Sequence, residues 1–292
     1  MEHLRSSFPQ AHITLFSEKA SEDWNVPSQL LGLIDEFYPY DFRSAPHALM
    51  LRADVIIQAP GGGLQDPADP RGASMLSDAE FANKNGIPYI FSGHSFHPSY
   101  DLSALRHAFV LAREPASHAL LTSRNISSVL SADPAFLLDV SFVRHSEKVG
   151  TLLFFRRWHF RDIKREGNTL ITDGRMTIIP ADPLCFASSD PLRDDTLLQP
   201  LQQTFGIPYR GYTDLHALLS GIASSKHVIT DRYHPAIFAA MLGTPYTLLP
   251  KEGSLRDQGL LEECSTYSVV ELSRRAKEGM NALTMHIQSL LS

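Results

Sequence analysis

Cysteine is scarce in this chain of 292 residues, which contains only Cys185 and Cys264, far apart in the sequence. Two isolated thiols exclude a cysteine-rich zinc motif and the disulfide framework of a small secreted domain. Long apolar runs are also lacking, since none approaches the roughly 18 residues that a membrane-spanning helix requires. The opening stretch, MEHLRSSFPQAHITLF, has neither the cationic nor the apolar region of a signal peptide. We therefore expect a globular cytoplasmic protein.

Positive charge is not in excess either, because 26 lysines and arginines face 32 aspartates and glutamates, for a net charge of -6. No basic stretch is interleaved with aromatic residues, so general nucleic-acid affinity is not expected. His94 and His97 could form a metal pair, but no third acidic or histidine ligand follows at a recognisable spacing. We predict no metal site, and a local cationic pocket for a small anion stays open.

Apolar residues make up 43% of the chain, which is enough for a substantial core and favours two domains over one. Strand patterns alternate with helix patterns in two successive blocks, which predicts two doubly wound Rossmann-like α/β domains facing a central cleft. The charged stretch RHSEK separates the blocks. We predict domains at residues 1–146 and 147–267, followed by an amphipathic closing helix at 268–292. The predicted strands are 12–16, 53–59, 87–92, 109–112, 151–155, 176–180, 228–230 and 246–249, and the predicted helices are 72–84, 115–123, 196–204, 215–223 and 268–291.

Residues 227–250, HVITDRYHPAIFAAMLGTPYTLLP, combine a buried strand, two polar side chains and a short helix. Pro235 suits the first position of a helix, and Gly243 can take the left-handed conformation that ends it. Arg232 and His234 thus lie between the carboxyl end of a strand and the amino end of a helix. Backbone N–H groups and the helix dipole favour an anion at that place. Open α/β sheets also bind their ligands there.

Three further features have two interpretations each. The glycines Gly61 to Gly63 follow the strand ADVIIQA and could cradle a ligand or make a tight turn, since their spacing fits neither GxGxxG nor GxxxxGK[ST]. Arg113 precedes a helix and could bind an anion or pair with Glu114 or another carboxylate. The basic run Arg156, Arg157, His159 and Arg161 could line a cleft or form a solvated loop.

Five blocks of the chain, taken in order, resemble the recurring blocks of the polysaccharide pyruvyl transferase family. They cover roughly residues 53–250 and read ADVIIQAPGGGLQD, IPYIFSGHSFHP, FVLAREPAS, ADPAFLL and VITDRYHPAIFAAMLGTPYTLLP. The resemblance implies a two-domain fold of the GT-B type. It further implies transfer of the pyruvyl skeleton of phosphoenolpyruvate to sugar hydroxyls as a pyruvate ketal, with neither a nucleotide sugar nor a cofactor.

The resemblance also implies roles for individual residues. Arg232 and His234 match the family's Arg-x-His and are the implied catalytic pair, and the implied substrate-binding residues are Arg113, Arg232, Gly61, Gly62, Gly63, His94, Ser95 and Ser117. The sequence departs from the family pattern at Glu114, where aspartate is usual, at His94, where glutamine is more frequent, and at Tyr233, where leucine is usual. The family's opening strand with its Asn-x-Gly-Asp turn is absent from the sequence, which leaves the acceptor side of the site open.

The chemistry of phosphoenolpyruvate fits these residues independently. The molecule carries a carboxylate and a phosphate, so two guanidinium groups are a sensible minimum, and Arg113 and Arg232 could supply them. Ketal formation needs a group that gives and takes a proton near neutral pH, a role that suits His234. A helix cap or a core histidine is the alternative for that residue.

Two other functions stay open from the sequence. One is a GT-B-type glycosyltransferase that uses a nucleotide sugar, and the other is a non-catalytic carbohydrate-binding relative. The acceptor sugar is not determined. A lipid-linked acceptor would predict peripheral contact at the inner face of the membrane.

Overall fold

The chain divides into two compact units. The computed structural model describes residues 1–17, 32–39, 47–61, 63–65, 67, 69–143, 147–155, 163–166, 169–172, 176–178, 184–188, 202–203, 206–212, 214–249 and 254–292. Unit 1 comprises Met1–Pro134, Ser254–Gly259 and Glu271–Ser292, and unit 2 comprises Ala135–Gly253 and Leu260–Val270. The first division therefore falls before the boundary predicted at residue 146. The closing helix belongs to unit 1 from Glu271 onward.

Unit 1 is built on a four-stranded parallel sheet of order β3-β4-β5-β6. A separate parallel pair, β1-β2, precedes it in the chain. The strands are β1 Thr14–Ser17, β2 Glu36–Pro39, β3 Ile56–Gln58, β4 Tyr89–His94, β5 Phe109–Ala112 and β6 Val129–Leu130. The helices of this part are α1 Glu2–Ser7, α2 His47–Met50, α3 Pro70–Lys84 and α4 Pro115–Ser123, with 3-10 turns at Gly63–Gln65, Ser103–His107 and Pro134–Leu137.

Both faces of this sheet are covered, which explains why β4 is buried along its whole length. Residues of α3 and α4, including Ala79, Ala82 and Leu121, form a core with one set of strand side chains. Leu283 and Ile287 form a second core with Ile90 and Leu111. These two residues belong to the closing helix, whose buried residues recur every three or four positions, the spacing of an amphipathic helix.

Unit 2 contains a five-stranded sheet of order β12-β11-β7-β13-β14, with all strands parallel. Its strands are β7 Thr151–Phe154, β11 Leu184–Ser188, β12 Tyr209–Gly211, β13 His227–Thr230 and β14 Tyr246–Leu248. Helices α5 Leu215–Ala223 and α6 Tyr233–Met241 follow β12 and β13, and α7 Leu255–Thr266 and α8 Val269–Leu291 end the chain. Helix α7 passes from unit 1 into unit 2 at residue 260, and α8 begins in unit 2 and enters unit 1 at Glu271.

A second, smaller sheet in unit 2 departs from the predicted alternation of strands and helices. Strands β8 Ile163–Glu166, β9 Thr169–Thr172 and β10 Met176–Ile178 form an antiparallel meander. The strand predicted at 176–180 is therefore an edge of this meander and not part of the parallel sheet. Glu166 pairs with Thr169, and connections that short join antiparallel neighbours, whereas parallel strands need a longer crossover. The basic run at 156–161 lies outside the described residues, as does the helix predicted at 196–204 except for residues 202–203.

Candidate active site

Arg232 lies at the junction between β13 and α6 in unit 2, where it is the N-cap residue of the helix. Its backbone N–H donates to Thr230 Oγ1 at 2.8 Å, and the same hydroxyl donates back to the Arg232 carbonyl at 3.2 Å. Its Nε donates to the carbonyl of Phe155, which follows the neighbouring strand β7, at 3.3 Å. Arg232, which is half-buried, is thus tied to two adjacent strand ends of one sheet, by its backbone at Thr230 and by its side chain at Phe155.

His234 is the second residue of α6 and is exposed, whereas Tyr233 and Pro235 on either side of it are buried. The buried neighbours anchor the first helical turn. The His234 ring packs edge-on to Tyr233 at 5.7 Å between ring centroids and stacks on Phe238 at 6.1 Å. An imidazole held in this way has a defined position and still reaches solvent.

The helix begins earlier than the sequence predicts, because Tyr233 and not Pro235 is its first residue. A helix makes no intrahelical bond from its first N–H groups, so proline is tolerated throughout the first turn and not only at its first position. The predicted end is confirmed. Gly243 has φ +63° and follows the C-cap Leu242.

The carboxyl edge of the unit 1 sheet brings five of the predicted site residues together: Gly61, His94, Ser95, Arg113 and Ser117. Gly61 follows β3 and is half-buried, and a methyl group in its place would lie 3.9 Å from His94 Nε2. Gly63 begins a 3-10 turn, and Gly62 lies outside the described residues. His94, the last residue of β4, is wholly buried. The glycine turn and His94 are therefore neighbours.

Burial changes the chemistry of His94. Desolvation, together with the positive charge of Arg113, lowers the pKa of His94 to about 3, although the Ser92 carbonyl opposes this effect. The imidazole is consequently neutral at physiological pH. A neutral ring offers one donor and one acceptor.

Arg113 belongs to a buried ion-pair network. Its Nε donates to Ser95 Oγ at 2.7 Å, and its Nη1 donates to Asp133 Oδ2 at 3.1 Å. Glu114 Oε2 accepts from Ser95 Oγ at 2.8 Å and lies 3.7 Å from Arg113 Nε, while Ser117 donates to the other carboxylate oxygen. The ion pair left open as the alternative for Arg113 is therefore present. Direct contacts of Arg113, Ser95 and Ser117 with a substrate stay predictions.

The network is enclosed by a segment from much later in the chain. A methyl group at Gly259, in the unit 1 part of α7, would lie 2.6 Å from Glu114 Cγ. Burial raises the pKa of Glu114, against the opposing effects of Arg113, Ser117 and Ser95. Sequence reasoning missed two members of this arrangement. Aspartate before proline, as at Asp133, is typical of a turn and does not indicate an ion pair, and nothing in the pattern around Gly259 indicates a contact with Glu114.

The described part of the chain contains neither a cluster of metal-binding side chains nor a membrane-spanning helix. There, no group of three or more histidine, cysteine, aspartate and glutamate side chains is arranged to hold a metal ion. His97 Nδ1 instead accepts a hydrogen bond from the Ser99 N–H at 3.2 Å. None of the helices in the same ranges is both long and apolar enough to cross a membrane.

Solved structures with a similar fold include two nucleotide-sugar epimerases. UDP-GlcNAc 2-epimerase from Methanocaldococcus jannaschii, in complex with UDP-GlcNAc and UDP, is 12% identical, with a TM-score of 0.54 over 98% of this chain and 95% of that one. The enzyme from Neisseria meningitidis bound to UDP-GlcNAc is 11% identical, with a TM-score of 0.50 over 100% and 95% of the two chains. At these identities the likeness shows the fold alone, an α/β fold of the GT-B type.

Sequence comparison goes further than the fold. No curated protein matches this chain. The sequence model of the polysaccharide pyruvyl transferase family, however, matches residues 1–249, which include the glycine turn, the buried network and the junction of β13 with α6. The chain therefore belongs to the polysaccharide pyruvyl transferase family.

Proposed function

We propose that this protein transfers the pyruvyl group of phosphoenolpyruvate to two hydroxyls of a sugar in a polysaccharide or its precursor. The observation that carries the proposal is the position of Arg232 and His234 at the start of α6. Arg232 is half-buried and is fixed by hydrogen bonds to Thr230 and Phe155, whereas His234 is exposed. A cation and an imidazole beside the amino end of a helix suit a phosphorylated donor.

Arg232 is the residue that holds the donor in this proposal. A guanidinium can make two parallel hydrogen bonds to a phosphate or a carboxylate, and the helix dipole adds to the attraction. Arg113 is assigned no direct contact, because its Nε and Nη1 already donate to Ser95 and Asp133. Its role is to keep the carboxyl edge of unit 1 in place.

His234 moves the protons. The reaction begins with protonation of the methylene carbon of phosphoenolpyruvate, which leaves an oxocarbenium-like centre at the neighbouring carbon. A first sugar hydroxyl attacks that carbon and gives up its proton. The second hydroxyl then displaces the phosphate and loses its own proton, so that the products are the cyclic ketal and inorganic phosphate. An imidazole can donate the first proton and accept a later one.

The test is incubation of the purified protein with phosphoenolpyruvate and a panel of sugar acceptors. We expect phosphate release that depends on the acceptor, together with a product whose mass corresponds to a pyruvate ketal. The panel should include galactosides, mannosides, glucosides, amino sugars and lipid-linked repeat units, because the acceptor is unknown. Phosphate release without an acceptor, or no release with any of them, would contradict the proposal.

A nucleotide-sugar enzyme is the principal competing function, because the fold-similar epimerases were solved with UDP-GlcNAc bound. A ligand that binds only the native state raises its stability, so thermal shift separates the two functions. We expect protection by phosphoenolpyruvate and none by UDP-GlcNAc. The reverse result would favour a glycosyltransferase or epimerase, and binding of sugars without turnover would indicate a non-catalytic relative.

A further inference from the structure

His94 is a buried polar side chain that the proposed chemistry leaves unused. It is 0% exposed, and within the described ranges neither of its ring nitrogens has a hydrogen-bond partner. The Ser92 carbonyl lies near enough to raise the pKa of the imidazole, but it does not meet the distance and angle of a hydrogen bond to either nitrogen. Buried polar atoms in native proteins are nearly always paired. We therefore expect the hydrogen-bond partner of this ring to be a group other than the described residues.

The backbone fixes the direction of the ring. The pairing of β4 with β5 shifts register between Phe91 and His94, and Gly93 has φ +68°. A methyl group at Gly93 would lie 3.0 Å from the ring of Pro134. The positive φ and this close packing together require glycine at the strand irregularity. The ring centroids of Phe91 and Phe96 lie 5.3 Å and 6.3 Å from the centroid of the imidazole. The imidazole thus packs against one aromatic wall, since the Phe91 and Phe96 ring centroids are themselves 6.3 Å apart.

The side towards Gly61 is different, because no side chain projects from that residue. A methyl group there would be 3.9 Å from His94 Nε2 and 3.7 Å from the Ala59 carbonyl, which are both ordinary contact distances. The glycine backbone therefore leaves the space beside Nε2 free of a side chain. Its wide conformational range allows it to move aside without the repacking of a side chain.

The charge around His94 favours a neutral ligand. Arg113 is balanced by Asp133 at 3.1 Å and by Glu114 at 3.7 Å, so a polyanion gains little there. The neutral imidazole has one donor and one acceptor. A sugar hydroxyl also donates and accepts, and it matches this pair.

We propose that His94 and Gly61 form a subsite for a hydroxyl of a neutral sugar. Identification of that sugar with the acceptor rests on the proposed function. Sugar binding itself does not. In this arrangement His94 is the polar contact, and Gly61 keeps the approach to Nε2 clear of a side chain.

The experiment measures binding of three probes to the full chain without phosphoenolpyruvate: methyl galactopyranoside, methyl mannopyranoside and methyl glucopyranoside. Ligand-observed NMR titration gives the affinities. His94→Phe keeps an aromatic ring but removes both nitrogens, and we expect about tenfold weaker binding, the effect of one lost hydrogen bond. His94→Gln keeps a donor and an acceptor and should stay within about threefold of the natural protein.

Two further variants complete the set. Gly61→Ala covers Nε2 with a methyl group at an ordinary contact distance, so it should fold normally and bind about tenfold more weakly. It keeps the test decisive if His94→Phe does not fold. His97→Gln changes a half-buried histidine three residues further along the chain and should bind as the natural protein does.

Three outcomes would overturn the subsite: none of the glycosides binds the natural protein, His94→Phe binds them unchanged, or Gly61→Ala binds them unchanged. If the hydrogen-bond partner of His94 is a fixed water molecule, we expect the second and third of these outcomes. Thermal protection by phosphoenolpyruvate should survive His94→Phe. If phosphate release fails while glycoside binding depends on His94, the proposed function is wrong and the subsite stands. If phosphate release succeeds while His94→Phe binds the glycosides normally, the proposed function stands and the subsite is wrong.

Discussion

The carboxyl edges of the two parallel sheets carry the same local arrangement with opposite exposure. In each unit an arginine follows a buried strand and precedes a helix. Arg113 is 2% exposed and sits between two carboxylates, whereas Arg232 is half-buried and is followed by the exposed His234. In unit 1, segments from the end of the chain pack on this edge at Glu114 and at Ser131. A strand–arginine–helix pattern therefore does not by itself distinguish a ligand site from a structural ion pair.

The largest expected effect tests the exposed edge. His234→Ala should lower turnover by about 10²- to 10⁴-fold, because it removes the proposed proton-transfer group. The measurement is phosphate release in the presence of acceptor. His216→Ala is the matched control, since His216 is also the exposed second residue of a helix in unit 2, and it should retain full turnover. Near-normal turnover by His234→Ala would sink the assignment.

The next prediction contrasts the two arginines. Arg113→Met leaves Asp133 and Glu114 buried without their cation and should lower the free energy of unfolding by about 3 to 5 kcal/mol. Arg232→Met loses a hydrogen bond to Phe155 and should cost about 1 kcal/mol, while it abolishes thermal protection by phosphoenolpyruvate. Urea unfolding of both variants is the measurement. Equal losses of stability would remove the distinction between the two edges.

A smaller effect tests why the unit 1 edge is buried. A methyl group at Gly279 of α8 would lie 2.1 Å from Ser131 Oγ and 2.7 Å from Ser131 Cβ. Gly279→Ala should therefore lower the free energy of unfolding by about 1 to 3 kcal/mol, although alanine is the better helix former. Asn281→Ala, at an exposed position of the same helix, should not destabilise the protein. If Gly279→Ala were more stable than the natural protein, Ser131 would have to accommodate the methyl group at little cost in free energy.

The smallest effect concerns the dependence of stability on pH. Burial raises the pKa of Glu114 above its ordinary value of 4.5, so the unfolded chain releases this proton at a lower pH than the folded chain. The stability contributed by the protonated form is complete below pH 4.5 and is lost as the pH rises through the raised value. Because glutamine has no carboxyl proton to release, Glu114→Gln does not lose stability in this way. We expect its stability relative to the natural protein to increase across that window, as measured by urea unfolding from about pH 4 to about pH 8. A constant difference would contradict the raised pKa.

The elements that the sequence predicted well are those with strong local signals. Strand β5 and helix α5 have the predicted bounds, and α8 follows its amphipathic spacing. In the meander, β10 was predicted as a strand but assigned to the parallel sheet, whereas β8, β9 and helix α7 were not predicted. The site was predicted as a set of residues, but the separation into a buried and an exposed edge was not.

The sequence by itself determined the family and the junction of β13 with α6. Both depend on residues close together in the chain, such as the strand His227–Thr230 and the helix stop at Gly243. Only the tertiary structure decided that Arg113 is an internal ion-pair partner and that His94 lies buried beside Gly61. Those outcomes require contacts between distant segments, as when Arg275 donates to the Ser131 carbonyl across 144 residues of chain. Burial is a property of the packed molecule, and no local pattern contains it.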